Sequence, residues 1–243
     1  MRLFGLIGYP LSHSFSQVFF TEKFEKEDIK DCRYLNFPIA SIEELRSVIN
    51  ENPGLEGLNV TIPYKEQVLP YLDELSETVK EIGACNCIKI RQGKLYGFNT
   101  DVPGFEASFV KELKPHHKQA LVLGTGGASK AVQYVLTKLA IPFKVVSRNP
   151  INNEINYNSI TADNIGDYPV IINTTPLGMQ PVVHQSPSLP YSAISNKHYL
   201  FDLIYNPAKT VFLESGEKYG AVIKNGFEML VNQAEESWKI WND

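Results

Sequence analysis

The stretch Ala120-Leu-Val-Leu-Gly124-Thr-Gly126-Gly127-Ala128-Ser129 decides the fold. Four apolar residues make a strand-length run and the glycines a tight loop. Ala131, Val132, Val135, Leu136 and Leu139 then recur at helical spacing. Pro142 lies just beyond the helix, and Phe143–Val146 reads as the next strand. Strand, loop, helix, strand is a βαβ unit with parallel strands, the context that a dinucleotide fingerprint requires. The first glycine permits the turn, the second lets a pyrophosphate approach the backbone, and amides at the helix N-terminus hold its charge. Ser129 stands where the usual pattern has Gly or Ala. A site for NAD carries Asp or Glu about 20 residues past the loop. Here the strand runs instead into Ser147-Arg148-Asn149. The planar fork of Arg148 suits a 2′-phosphate and stacks on adenine, which favours NADP over a merely solvated arginine.

Further strands are expected at Val170–Asn173 and Tyr199–Ile204, with a polar loop or trimmed helix over 150–164. Towards the N-terminus, Leu3–Gly8, Tyr34–Ile39 and Leu58–Ile62 read as strands and Phe15–Lys26 as a helix. Ser41 and Glu44 form a capping box before Ile42, Leu45, Val48 and Ile49, and Asn52-Pro53-Gly54 ends that helix. Lys65 onward also reads as helical, with Val68, Leu69 and Leu72 on one side. The fold class is therefore α/β. At 243 residues the chain holds one large domain or two modest ones. A formal charge of −4 without a Lys/Arg run excludes a basic nucleic-acid footprint. With 43% hydrophobic residues the chain can bury a core, and no apolar run reaches the roughly 18 residues of a membrane span. Leu3–Ile7 is too short for a signal-peptide core, and Cys32, Cys85 and Cys87 suggest no disulfide framework, so a cytoplasmic protein is expected. Cys85 and Cys87 alternate around Asn86 as strand neighbours would, and two thiols alone make no zinc site, so no metal is expected.

Four polar clusters end short apolar segments, where loops build sites. They are Ser12-His13-Ser14-Phe15-Ser16, Asn59-Val-Thr61-Ile-Pro-Tyr-Lys65, Gly83-Ala-Cys-Asn86 and Gly97-Phe-Asn-Thr-Asp101. Hydroxyls, amides, one lysine and one aspartate suit a small polyhydroxylated acid better than a hydrophobic ligand. With Gly8-Tyr-Pro-Leu, the glycine loop, Asn173-Thr-Thr-Pro-Leu-Gly178, Asp202-Leu-Ile-Tyr-Asn-Pro207 and Asn225-Gly-Phe-Glu-Met-Leu-Val-Asn-Gln233, they run in order along nearly the whole chain. In this the sequence resembles the shikimate dehydrogenase family.

The resemblance implies reversible NADPH-dependent reduction of 3-dehydroshikimate to shikimate, on the way to chorismate and the aromatic amino acids. It implies that Ser14, Ser16 and Tyr205 meet the substrate carboxylate. Thr61, Lys65, Asn86, Asp101 and Gln233 would surround the ring hydroxyls, with Lys65 and Asp101 as the catalytic pair. Gly124, Gly126, Gly127 and Ala128 would cradle the pyrophosphate, Ser147, Arg148 and Asn149 would hold the adenosine end, and Leu203 and Gly226 would lie near the nicotinamide. The sequence departs from the family at Gln17, usually proline, and at Cys87, usually threonine. The segment Ser147–Pro150 also lacks the threonine and later lysine often found there.

The expected architecture has a substrate-binding domain over residues 1–101 and a Rossmann-like NADP-binding domain over 102–225. The family resemblance returns the last helix, 226–243, to the first domain with Gln233 on it, and implies a cleft whose halves hinge to exclude water. The partner is a small molecule, with no nucleic acid or membrane, and the chain is expected as a monomer or homodimer. A lysine ammonium, with a reference pKa of about 10.4, can protonate the alkoxide that hydride transfer leaves. Taken alone, Ser14, Ser16 and Thr61 read more readily as caps of helices or turns, and Asn86 and Gln233 can simply satisfy backbone groups; the ordered set of motifs is what makes them site residues. His13 reads as a structural hydrogen-bonder, and His116 and His117 as solvent-facing. Trp238, Trp241, Phe227, Leu230, Val231 and Ala234 read as one apolar helix face. The rivals are a quinate-preferring or NAD-using enzyme of the same family, a non-catalytic NADP-binding regulatory module and a folate-linked dehydrogenase of similar design.

Overall fold

Leu3–Ile7 reads as unbroken apolar sequence because its strand is buried on both faces, Phe4 and Leu6 in one core and Ile7 in another, with Leu3 packed beside it. A computed structural model describes residues 1–11 and 14–243; Ser12 and His13, with the role read for His13, lie outside the described residues. The chain forms two units, Met1–Thr100 with Gln233–Asp243, and Asp101–Asn232.

The first unit contains β1 (Arg2–Gly8), α1 (Phe15–Lys26), β2 (Cys32–Pro38), α2 (Leu45–Glu51), β3 (Leu55–Val60), β4 (Glu74–Leu75), α3 (Glu77–Ile82), β5 (Cys87–Arg91) and β6 (Lys94–Phe98). Its sheet runs β2-β1-β3-β5-β6-β4. The sheet is mixed: β1 is parallel to β2 and β3, whereas β5 is antiparallel to both β3 and β6. The β5–β6 hairpin, unread in the sequence, turns at Gln92 and Gly93, both with positive φ (52° and 76°). One face of the sheet packs Ile7, Leu45, Leu58, Val60, Val68 and Ile88. The other packs Phe4, Phe20, Tyr34 and Trp241, with Trp241 stacked on Phe4 at 4.9 Å.

The capping box forms as read: Glu44 accepts the Ser41 N–H at 2.9 Å, while the Ser41 hydroxyl caps the turn that opens α2. The helix expected from Lys65 does not form. Pro70 has no N–H to give to the Glu66 carbonyl, which instead accepts from Leu69 at 3.3 Å, and the segment tightens into turns and a 3-10 helix over Leu69–Tyr71.

The second unit contains α4 (Asp101–Phe109), β7 (Ala120–Leu123), α5 (Gly127–Lys138), β8 (Phe143–Ser147), β9 (Ile155–Asn156), β10 (Val170–Asn173), β11 (Tyr199–Asp202), α6 (Val211–Lys218) and β12 (Val222–Lys224). The polar stretch 150–164 is thus more than a loop, since β9 extends the sheet. All pairings are parallel, in the order β12-β11-β10-β7-β8-β9. Counting from β7, this is the 3-2-1-4-5-6 order of a doubly wound dinucleotide fold, whose switch point lies between β7 and β10. The last helix, α7 (Phe227–Asn242), starts in the second unit and ends in the first. Trp241 and Ala234 lie in its apolar face, but Phe227 is 51% exposed, at the helix start rather than in that face. No described helix is long and apolar enough to cross a membrane.

His117 corrects its reading as solvent-facing: it is 5% exposed, stacks on Tyr199 at 5.7 Å, and its Nδ1 accepts the Lys114 N–H at 3.1 Å. Burial, reinforced by His116, Lys114 and His198, lowers its pKa to about 4. A group depressed on folding contributes stability that is complete above its unfolded value, about 6.5, and lost as pH falls towards 4. The loss is bounded by about 3 kcal/mol, and is about half that once solvent screening is allowed for. Asp202, raised to about 6 by burial, acts oppositely, becoming less costly to bury as pH falls through the same window. The His117 contribution is therefore isolated by difference. The stability gap between wild type and His117→Gln, from denaturant melts, should narrow between pH 6.5 and 4; a constant gap would refute the burial argument.

Candidate active site

Asn86 lies between two strand ends, with its carbonyl accepting from Val60 N–H at 2.8 Å and its N–H donating to Phe98 at 3.1 Å. Its side-chain amide is held at both ends by one residue. Thr100 N–H donates to Oδ1 at 2.6 Å, and Nδ2 donates to Thr100 Oγ1 at 3.0 Å. The same hydroxyl reaches Gln233 Oε1 at 3.4 Å and Ser237 Oγ at 3.2 Å. Ser237 donates one helical turn back to the Gln233 carbonyl at 2.9 Å, and accepts from Asn59 Nδ2 at 2.8 Å. Tyr34 closes the set by donating to Asn59 Oδ1 at 2.8 Å. These groups are all buried, where an unsatisfied polar atom is costly, so each fixes its neighbour's direction. The network thus joins Asn86 to Gln233. Sequence reading singled out those two amides but missed the positioning roles of Thr100, Ser237 and Tyr34; Ser237, one turn beyond Gln233 on a helix, was the available signal.

Thr100→Val keeps the backbone N–H on Asn86 Oδ1 but removes the hydroxyl's bonds to Asn86 Nδ2, Gln233 Oε1 and Ser237 Oγ. The expected loss is about 1–3 kcal/mol, or about 2–4 °C in Tm per kcal/mol for a chain of this size. Thr100→Ser should melt near wild type; equal melting of the Val and Ser variants would show that the hydroxyl contributes nothing.

Ser14 caps α1, its Oγ accepting the Gln17 N–H at 3.4 Å, and Ser16 is buried in the first turn, where it hydrogen-bonds with the Tyr34 hydroxyl. Gln17, the departure from proline, contributes that N–H and an amide contact with Asn36 at 2.9 Å. Thr61 starts the turn after β3, with its N–H on the Ile7 carbonyl and its own carbonyl accepting from Tyr64. Lys65 follows, half-buried, with its carbonyl accepting from Cys85 at 2.7 Å. Cys85 and Cys87 are both buried free thiols; burial pushes Cys87 far up, so neither is poised as a nucleophile.

In the second unit, Asp101 is 5% exposed in the first turn of α4, where a carboxylate is favoured by the helix dipole. Gly124 has φ +110°, and a Cβ there would crowd Thr174, whose own N–H and hydroxyl both bond the Leu123 carbonyl. The turn therefore lies at the β7/β10 switch point. Gly126 is the N-cap of the twelve-residue α5, makes no side-chain cap, and has open space where a Cβ would stand. The first amides of Gly127 and Ala128 are thus served by no cap, which fits a pyrophosphate. Ser129 explains its departure from Gly or Ala: it is buried, and its hydroxyl folds back onto the Gly124 carbonyl at 2.7 Å. Ser147 ends β8, beside β7, and Arg148 and Asn149 follow it, both exposed. Leu203 and Gly226 meet directly, Leu203's carbonyl lying where a Gly226 Cβ would be. Tyr205 is half-buried two residues on, and burial raises its hydroxyl pKa.

The family model for the shikimate dehydrogenase substrate-binding domain matches residues 6–88. The shikimate dehydrogenase (NADP(+)) of Methanococcus vannielii is 37% identical over 98% of this chain and 90% of its own. The crystal structure of shikimate 5-dehydrogenase from Thermus thermophilus, in complex with NADP(H) and shikimate, is similar at TM-score 0.88 and 28% identity, covering 99% and 93% of the two chains. A quinate dehydrogenase from Corynebacterium glutamicum in complex with NAD gives TM-score 0.87 and 27% identity over the same shares.

Proposed function

From the premise that this chain belongs to the shikimate dehydrogenase family, we propose that it reversibly reduces 3-dehydroshikimate to shikimate with NADPH, in the pathway to chorismate and the aromatic amino acids. The observation that carries the reading is the union of Asn86 and Gln233, distant in sequence, through the Thr100 hydroxyl: two oriented amides suit a ring bearing several hydroxyls. The first unit binds substrate and the second binds NADP. Ser14, Ser16 and Tyr205 take the substrate carboxylate, and Thr61, Asn86 and Gln233 the ring hydroxyls. Gly124, Gly126, Gly127 and Ala128 hold the pyrophosphate, Ser147, Arg148 and Asn149 the adenosine end, and Leu203 and Gly226 flank the nicotinamide. Free, buried cysteines accord with a cytoplasmic protein, and we assign it as a monomer or homodimer.

Bound NADPH supplies the hydride, and NADP⁺ accepts it in the reverse direction. Reducing a ketone leaves an alkoxide, and the Lys65 ammonium delivers the proton to that oxygen. In oxidation its neutral amine removes the hydroxyl proton. Asp101 is the second member of the catalytic pair, the residue that orients the lysine.

The test is NADP⁺ reduction by purified protein with shikimate, beside quinate and NAD⁺ in parallel and Lys65→Ala as control. Rapid Lys65-dependent turnover with shikimate and NADP⁺ is expected. Preference for quinate or NAD⁺ would move the assignment within the family, and NADPH binding without any turnover would make the chain a binding module.

A further inference from the structure

Asp202 is fully buried at the end of β11, in register with Asn173 at the end of β10. Its carboxylate meets three donors, none a cation. Thr210 Oγ1 donates to Oδ2 at 2.5 Å, while Ile204 N–H and Asn173 Nδ2 donate to Oδ1 at 3.0 Å each. Burial raises its pKa to about 6 against the pull of those bonds. Burying a carboxylate among neutral partners is costly, so what it holds matters more than what it adds to stability. What it holds is the segment after the strand. Leu203 N–H bonds the Asn173 carbonyl, and the Ile204 carbonyl accepts from Gly226 N–H, both at 3.0 Å. The Asn173 Oδ1 accepts from Thr175 N–H and its hydroxyl, so the clamp continues to the loop beside the glycine turn. Thr210 also caps α6 through Leu213 N–H.

We infer that Asp202 is a positioning residue: its clamp on Ile204, Asn173 and Thr210 sets where Leu203 and Tyr205 stand relative to the ligands. This rests on the roles proposed above for Leu203 and Tyr205. Asp202 itself touches neither substrate nor cofactor in this reading. A carboxylate accepts from all three partners at once, whereas an asparagine in its place presents one face of donors to the Thr210 hydroxyl.

The test uses Thr210→Val, which removes the shortest bond with little change of shape, and Asp202→Asn, with Thr210→Ser as the conservative rescue. In ligand-free protein, exchange of the Leu203 and Ile204 amides should accelerate about tenfold in the Val and Asn variants. KM for shikimate should rise about tenfold, with a larger isotope effect on kcat from shikimate deuterated at the reacting carbon, while NADPH affinity stays within about threefold of wild type. Thr210→Ser should restore both readouts. Lower Tm with wild-type KM and isotope effect would reduce the clamp to a structural role and overturn the inference, as would unchanged amide exchange in both folded variants. A wild-type protein inactive on shikimate would instead sink the proposed function, and the exchange measurement would still decide whether the clamp holds the segment.

Discussion

Lys65→Ala is expected to lower kcat for shikimate oxidation by about 10²–10⁴, the usual contribution of a positioned acid–base group. The fold should survive. The Lys65 side chain is half-exposed, the buried anchors of its turn are Tyr64 and Val68, and the backbone bond from Cys85 to the Lys65 carbonyl persists in the variant. Stability should therefore stay within about 0.5 kcal/mol of wild type, as for most surface truncations. Lys65→Arg separates charge from proton transfer. A guanidinium keeps the positive charge but stays protonated, so it fails as a base almost as completely as alanine does. If Arg restores turnover, Lys65 serves electrostatically and the proton moves elsewhere. Wild-type turnover in Lys65→Ala would remove Lys65 from the role.

Legibility in the sequence follows the range of the interactions involved. The β7–α5 turn is readable because its strand, glycines and helix face are contiguous, and the Ser41–Glu44 box because capping acts over three residues. The segment after Lys65 misleads because Val68, Leu69 and Leu72 have helical spacing while Pro70 removes the bond that a helix needs there. His117 misleads differently: its neighbours Lys114, His116 and Lys118 are polar, but Tyr199, far along the chain, covers its ring. In the site, Asn86 and Gln233 were reached through family resemblance. Thr100 and Ser237, which orient them, show in sequence only as a member of the Gly97–Asp101 cluster and as a serine one turn beyond Gln233; their roles appear only with what the fold brings against them. The same holds for Asp202: in sequence it is one acid after three strand residues, and only the register with Asn173 and the return of Thr210 give it partners.

Gly226→Ala is expected to cost about 10²-fold in kcat/KM for shikimate, the scale at which roughly 1 Å of misplacement is felt in a reaction. Gly226 is buried just before α7; its N–H bonds the Ile204 carbonyl, and its own carbonyl accepts from Leu230 at 2.9 Å. A Cβ would overlap the Leu203 carbonyl and crowd its Cα. Those atoms are backbone, so no rotamer change relieves the overlap, and either the Leu203–Pro207 segment or the start of α7 must shift. Overpacking of this kind typically destabilises by about 1–3 kcal/mol, tolerable for a domain whose core lies elsewhere in Leu121, Leu123, Ile171, Leu200 and Phe212. The variant should therefore fold, retain NADPH at the pyrophosphate and adenosine end, and fail in the reaction. Its signature is a melting point a few degrees low with kinetics far below that, since stability averages over the unit whereas hydride transfer depends on one segment. Wild-type kcat/KM in the alanine variant would mean that the Leu203 carbonyl can retreat freely, and that the close approach of Leu203 to Gly226 does not govern the nicotinamide side of the site.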